Sequence, residues 1–590
     1  MKQLLTANEA IARGFYEAGG VVAAAYPGTP STEILENISA YKKELYCEWS
    51  SNEKTAMETA IGASIGGVRA LAAMKHVGLN VAADPMFTMA YTGVNGGLVI
   101  VSADDPSMHS SQNEQDNRHY ARAAKICMLE PADSQEALDM TKAAFAISEN
   151  FDVPVMLRTT TRVCHSKSIV ELSERHEVPA KPYVKDRAKW DTIPAISKAL
   201  RLKVEQRQKA LTEYSENCPF NYAIDNGSSI GIVCSGIGFQ HAREAFGDQA
   251  NYYKVGFTYP LPIESIRKFA QTVETLYVVE ELDPFMEEQL KAAGIACIGK
   301  EKLPDLYELN AGIVRKCLLG EETPVVQVDT PVVDRAPALC AGCPHRGLFL
   351  ELSKFKDVIV SGDIGCYALG GADPYNTKDT SVCMGASISV AHGMKKAFDY
   401  SGVEKKPVAV IGDSTFFHTG INSLINQLYN HGSALTIIVD NRTTGMTGHQ
   451  ENPGTGYTLM GEPTQAISIE TLVKAVGAKN VRVVNPLHLA EVREALQWAF
   501  ALTEPAVIIT RYPCALKKYT KEDLEEFGKL GKCEVDADKC IGCKLCVKTG
   551  CPALIYDKTA KKVVIDTPQC TACEICSQVC PKQAIHKIGK

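Results

Sequence analysis

Nine of the 21 cysteines fall between Cys533 and Cys580, inside the last 58 residues. Cys540, Cys543, Cys546 and Cys551 form one run and Cys570, Cys573, Cys576 and Cys580 a second, each closed by a proline. Two-residue gaps let three thiolates converge from one tight loop while backbone N–H groups point at the sulfurs. The fourth cysteine, turned away by its proline, reaches a neighbouring cluster. The second run has the C-x2-C-x2-C-x3-C-P spacing of paired iron–sulfur sites, and the first differs by one inserted residue. This pattern predicts one [4Fe–4S] cluster on Cys540, Cys543, Cys546 and Cys580, and another on Cys570, Cys573, Cys576 and Cys551. Zinc is the competing reading, but it usually takes two C-x2-C pairs and leaves the third cysteine of each run unexplained. Cys533 has no assigned place and reads as a spare thiol. Such clusters move single electrons without saying what supplies them.

Hard oxygen donors offer a second chemistry. Pro407–Asp413 is a β-branched run ending in Gly412, Asp413 and Ser414. A helix-like stretch follows, and a second apolar run ends at Asp440 and Asn441, with 27 residues between Asp413 and Asn441. Strand, helix, strand brings both polar residues to the C-terminal edge of a sheet, where α/β folds bind ligands. A carboxylate, an amide oxygen and a backbone carbonyl, the last from Thr443, suit Mg²⁺ bridging a diphosphate.

The arrangement resembles the thiamine diphosphate motif, G-D-G followed one strand–helix–strand unit later by Asn, with Ser414 in place of the last glycine. Thiamine diphosphate also needs a carboxylate against N1′ of its aminopyrimidine, supplied by a second α/β domain. Residues 52–64 read as a helix with small residues on one face, similar to the Glu-x-x-Ala pattern of such domains, and Glu53 is the candidate. A solvated first-turn glutamate is the alternative. Met384, before a Gly-rich helix start, would wedge the cofactor into its V shape, or is a plain core methionine.

Residues 25–32, Ala-Tyr-Pro-Gly-Thr-Pro-Ser-Thr, resemble a segment of the 2-oxoacid:ferredoxin oxidoreductases in which the threonine, here Thr29, faces cofactor and substrate. The segment from Tyr120 resembles the one whose arginine grips the substrate carboxylate. The matching residue is Arg122, whose fork suits a planar carboxylate; a surface arginine is the alternative. The resemblance further implies a proximal cluster on Cys340, Cys343, Cys366 and Cys514. The order of parts is similar to the large subunits of the family branch that acts on aryl pyruvates. Met446 stands where the wider family has asparagine, and a thioether there would suit an apolar side chain.

The expected fold is α/β and multidomain, with doubly wound parallel-sheet thiamine domains and a C-terminal two-cluster ferredoxin module. Residues 1–195 would form the pyrimidine-type domain and 198–216 a charged helical connector. A small α/β domain, similar to transketolase C-terminal domains, would span 225–325, the diphosphate domain 335–520 and the ferredoxin module 530–590. The Gly-Ile-Gly at 236–238 reads as a tight strand–helix turn and not as an NAD site. No repeats are expected. At 590 residues, 45% hydrophobic and 22% charged, every large part can bury a core. A net charge of −7 with no basic run argues against nucleic acid. Asn8 and Glu9 interrupt any signal-peptide core, and Pro85–Ala103 reads as helix, turn and strand, so the expectation is a cytoplasmic protein with no membrane span.

The resemblance implies oxidative decarboxylation of aryl pyruvates (indolepyruvate, phenylpyruvate, hydroxyphenylpyruvate) to arylacetyl-CoA. Electrons would pass through the clusters to an external ferredoxin, with coenzyme A taking the acyl group. The implied cofactors are thiamine diphosphate, Mg²⁺, two [4Fe–4S] clusters and a third at the proximal cysteines. The implied partners are a smaller second subunit and a second copy of this chain. The alternatives are the same chemistry on pyruvate, phenylglyoxylate or a branched-chain acid, or an electron-transfer subunit with an inactive thiamine fold.

Overall fold

The computed structural model describes residues 1–324, 328–331, 333 and 336–588. The domain limits expected at 325, 335 and 590 lie outside them. The chain divides into two compact units, Met1–Asp329 and Thr330–Lys590.

The first unit is built on a seven-stranded sheet in the order Phe257–Tyr259, Cys127–Leu129, Val155–Thr160, Leu98–Asp104, Ala70–Lys75, Val22–Ala25, Tyr46–Trp49. All neighbours are parallel except the first pair. Its inner strands are continuous small apolar runs, as a parallel sheet covered on both faces requires. Residues 85–103 are, as expected, the end of the helix His76–Thr92, a glycine-rich turn and most of the strand Leu98–Asp104. A second sheet, ordered Thr275–Val279, Ile230–Cys234, Asn251–Val255, Asn221–Ile224, forms the small α/β part. That part lends Phe257–Tyr259 to the first sheet. The connector is the helix Pro194–Ser215, which buries Leu200, Val204, Arg207 and Leu211.

The second unit holds a five-stranded parallel sheet in the order Val358–Ser361, Lys406–Gly412, Leu435–Asp440, Ala506–Arg511, Asn480–Val484. Strand alternation explains its two cores. Val408, Val410, Ile437 and Val439 join one apolar cluster, while Ala409, Ile411 and Ile438 join another.

At the C-terminus two antiparallel pairs, Lys532–Val535 with Ile585–Ile588 and Leu554–Asp557 with Lys562–Ile565, frame the cysteine loops. Here the expectation of no repeats fails. Cys540 N–H donates to the Asp536 carbonyl at 3.0 Å, and Cys570 N–H donates to the Asp566 carbonyl at 3.1 Å. Asp536 and Asp566 in turn donate to Ala584 and Ala553 at 2.7 and 2.8 Å. The two halves share the Asp-x3-Cys-x2-Cys-x2-Cys spacing and differ enough between cysteines to hide the duplication. Among the described residues no helix is long and apolar enough to cross a membrane.

Candidate active site

In the second unit, Lys406–Gly412 and Leu435–Asp440 are parallel neighbours with Gly412 opposite Val439, so Asp413 and Asn441 leave the same sheet edge. Both are buried, as is Thr443. The Asn441 amide faces the Thr443 carbonyl at 2.9 Å and Asp413 Oδ1 at 3.1 Å. Its NH₂ end can donate to both. With its oxygen end there instead, the amide stands from each of those two oxygens at about the separation of neighbouring ligands on a Mg²⁺ octahedron, about 2.9 Å for bonds of about 2.0–2.1 Å. Burial, followed by the repulsion of Asp440, pushes the Asp413 carboxyl up to about 7. A cation would offset both.

The surroundings hold this edge rigid. Asn452, which the sequence reading missed, donates from Nδ2 to Asp413 Oδ2 at 3.1 Å. Ser414 Oγ accepts from Thr444 Oγ1 at 2.9 Å, so the serine in the motif's glycine place is absorbed by a neighbouring hydroxyl. A Cβ at Gly412 would stand 2.6 Å from the Tyr367 ring, which is why glycine precedes Asp413. Asp363, also missed, accepts from the Gly385 and Ser387 N–H groups at 2.9 and 3.0 Å. It thereby fixes the turn that carries half-buried Met384 into the helix Ser387–Ser401. Gly385 has φ +83°, and a Cβ there would meet Thr419 Oγ1 at 1.8 Å. Met446 is 54% exposed.

Cys340 and Cys343, in one turn, join Cys366 and Cys514 from two other loops, and the four interact electrostatically. Cys343 feels Cys366 and Cys514, while Cys366 and Cys514 both feel Cys340. Burial pushes the Cys343 thiol up to about 12 and Cys366 to about 11. Cys514 N–H donates to the Asn441 carbonyl at 3.0 Å, tying these thiols to the oxygen site.

The terminal cysteines sort into two hollows. Cys540, Cys543, Cys546 and Cys580 line one. Cys551, Cys570, Cys573 and Cys576 line another. Cys533 lines the second as well, and its N–H donates to Cys570 Sγ at 3.3 Å; the spare thiol is thus a neighbour of the second set.

In the first unit Glu53 opens the helix Glu53–Ile65, whose buried face is Glu53, Ala56, Met57, Ala60 and Ser64. Asn52 caps it, accepting from Thr55 N–H at 2.9 Å. Glu53 is buried, not solvated, and a Cβ at Gly78 would stand 2.7 Å from its Oε1. Lys75, missed in the sequence, ends the strand Ala70–Lys75. Burial brings its ammonium down to about 8 against the pull of Asp105 and Glu53. Its signal was a lone basic residue at the C-terminal end of an apolar strand. Lys75 Nζ donates to the Ser110 carbonyl at 3.0 Å, and Ser110 Oγ donates to the Thr29 carbonyl at 3.3 Å, so Thr29, Glu53 and Lys75 share one neighbourhood. Arg122 is exposed on the helix Arg118–Ala124. One turn earlier Arg118 is buried, held by Asp116 and Glu280.

Residues 363–510 match the family model described as thiamine pyrophosphate enzyme, C-terminal TPP binding domain. Residues 13–212 match that of pyruvate flavodoxin/ferredoxin oxidoreductase, thiamine diphosphate-binding. The indolepyruvate oxidoreductase subunit IorA of Archaeoglobus fulgidus is 40% identical over 99% of this chain and 97% of its own length. That of Pyrococcus abyssi is 41% identical over 99% and 97%. The 2-oxoglutarate synthase subunit KorA of Methanothermobacter thermautotrophicus is 26% identical over 51% of this chain and 93% of its own length.

Proposed function

The chain belongs to the family of indolepyruvate oxidoreductase IorA subunits, and from that membership we propose that it oxidatively decarboxylates aryl pyruvates to arylacetyl-CoA in the cytoplasm. Electrons would leave through [4Fe–4S] clusters to a ferredoxin. The chemistry thiamine diphosphate supplies when bound is an electron sink for the pair left as a 2-oxoacid loses carbon dioxide.

The chain's own residues divide the work. Asp413, the Asn441 side-chain oxygen and the Thr443 carbonyl would hold Mg²⁺ on the diphosphate, with Gly412 and Ser414 lining it and Asn452 fixing the Asp413 carboxylate. Glu53 would hydrogen-bond N1′ of the aminopyrimidine, and Met384 would support the bend between the two rings. Thr29 and Arg122 are assigned to the substrate, Lys75 adding positive charge beside Thr29 and Glu53. Each four-cysteine hollow would hold one cluster, and Cys340, Cys343, Cys366 and Cys514 the proximal one. Zinc fits the thiols less well. It usually takes two C-x2-C pairs, which leaves the third cysteine of each run unexplained. A smaller partner subunit and a second copy of this chain would complete the enzyme.

The observation that carries the reading is the meeting of the Asp413 carboxylate, the Asn441 amide and the Thr443 carbonyl at one sheet edge. Ser414 favours a second reading, an electron-transfer subunit with an inactive thiamine fold, but its hydroxyl is absorbed by Thr444, and Asp413, Asn441 and Thr443 still meet at one edge. The test is anaerobic, coenzyme A-dependent dye reduction by the native complex across a panel of 2-oxoacids. Fast turnover of indolepyruvate and phenylpyruvate with slow pyruvate supports the proposal. A faster pyruvate or branched-chain acid overturns the aryl specificity, and no turnover with cofactors bound supports the second reading.

A further inference from the structure

Arg346 is 1% exposed, and among the described residues no carboxylate pairs with it. Its guanidinium donates only to neutral groups: Tyr375 Oη at 2.7 Å, the Thr549 carbonyl at 2.8 Å, and the Leu339 and Cys340 carbonyls at 2.9 and 2.8 Å. Its Nε is buried with no acceptor. A lone buried charge is costly unless an anion accompanies it, and thiolate-bound clusters on the neighbouring cysteine loops would supply one. Cys340 belongs to the proximal set, and Thr549 lies in the loop between Cys546 and Cys551. Tyr375 donates to the same Thr549 carbonyl at 2.6 Å, so one guanidinium staples both loops. The loops also touch directly. Gly342, in the Cys340–Cys343 turn, lines the hollow of Cys551, Cys570, Cys573 and Cys576, and a Cβ there would stand 2.0 Å from Thr571 Oγ1.

We propose that Arg346 is the shared counter-cation of the Cys340/Cys343/Cys366/Cys514 set and the Cys551/Cys570/Cys573/Cys576 set, raising the reduction potential of the clusters both would hold. Each reduction adds one electron and makes or breaks no bond, so a fixed cation in a low-dielectric site stabilises the reduced form. The Cys540/Cys543/Cys546/Cys580 hollow, whose Cys546 carbonyl accepts from Thr549 Oγ1 at 2.6 Å, has Lys544 and Lys582 in its lining, and its cluster should respond least. The inference rests on the iron–sulfur reading above. It makes Arg346 a positioning and tuning residue, not a catalytic one.

The test uses the full chain with its partner subunit, purified anaerobically as native, Arg346→Gln and Arg346→Lys. Iron is counted, and each cluster's electron paramagnetic resonance signal is titrated against potential with dithionite. Arg346→Gln should keep its iron, shift two midpoint potentials downward and move the third least, while Arg346→Lys stays near native. Unmoved potentials in Arg346→Gln, or an equal downward shift in Arg346→Lys, overturn the proposal. If Arg346→Gln loses iron, Arg346→Lys decides: native iron and potentials support the shared charge, and their loss overturns it. A native chain without cluster iron overturns the iron–sulfur reading and this inference with it, whereas native iron with unmoved potentials overturns this inference alone.

Discussion

Asp413 sits where two facts of sheet geometry meet: a strand that ends in glycine against the Tyr367 ring, and a neighbouring strand that delivers Asn441 at the same level. Removing the carboxylate should cost more than removing what orients it. Asp413→Ala should weaken Mg²⁺-dependent thiamine diphosphate binding by about 100-fold or more, and Asn452→Ala by roughly 10–100-fold, as measured by calorimetry. Unchanged affinity in Asp413→Ala would remove it as a ligand. Glu53→Gln should abolish turnover with iron content unchanged, and near-native turnover would take Glu53 out of the mechanism. Asp413, Asn441 and Thr443 were legible in the sequence because a single strand–helix–strand unit sets their spacing. Asn452 and Asp363 were not, because loop folding alone brings Asn452 to Asp413 and Asp363 to the Gly385 turn. Nor could periodicity show which arginine of the Arg118–Ala124 helix faces inward: Arg118 is buried among carboxylates supplied by distant segments, and Arg122 is exposed.

Between elements, the first unit joins its two sheets through buried charge. Arg118 pairs with Asp116 and Glu280, and Arg158 pairs with Asp104 and Glu130. Beside them Glu281 accepts from Leu309 N–H at 2.9 Å. Burial pushes the Glu281 carboxyl from 4.5 up to about 7, the Leu309 N–H and Arg158 opposing it. A raised carboxyl keeps a proton in the folded chain that the unfolded chain has released. Its contribution to stability is therefore complete below about pH 4.5 and is lost as pH rises through about 7. Melting temperature should accordingly fall less between about pH 5 and 7 in Glu281→Gln than in the native chain, by scanning calorimetry; parallel curves would contradict this. The strands were readable as apolar runs bounded by glycine and polar residues. The transfer of Phe257–Tyr259 to the edge of the first sheet was not, because three residues carry no pattern that distinguishes one sheet from another.

For the whole molecule, the grouping of the terminal cysteines into two hollows is the part the sequence described most fully, since each group is encoded within one compact loop plus one distant cysteine. The internal duplication escaped notice because one half carries an extra residue before its fourth cysteine. The proximal set depends on three loops that only the fold gathers. Anaerobic iron analysis should find about twelve irons per chain if all three sets hold clusters and about eight if only the terminal hollows do, at four per cluster. The most direct measurement joins the two chemistries. The native complex, loaded with thiamine diphosphate and Mg²⁺, is mixed anaerobically with indolepyruvate, and the clusters are followed by electron paramagnetic resonance. Signals of reduced clusters should appear with the 2-oxoacid, require thiamine diphosphate, and vanish in Asp413→Ala. Clusters that stay oxidised in the loaded native complex, with iron and cofactor bound, would contradict the transfer of electrons from a 2-oxoacid into this chain.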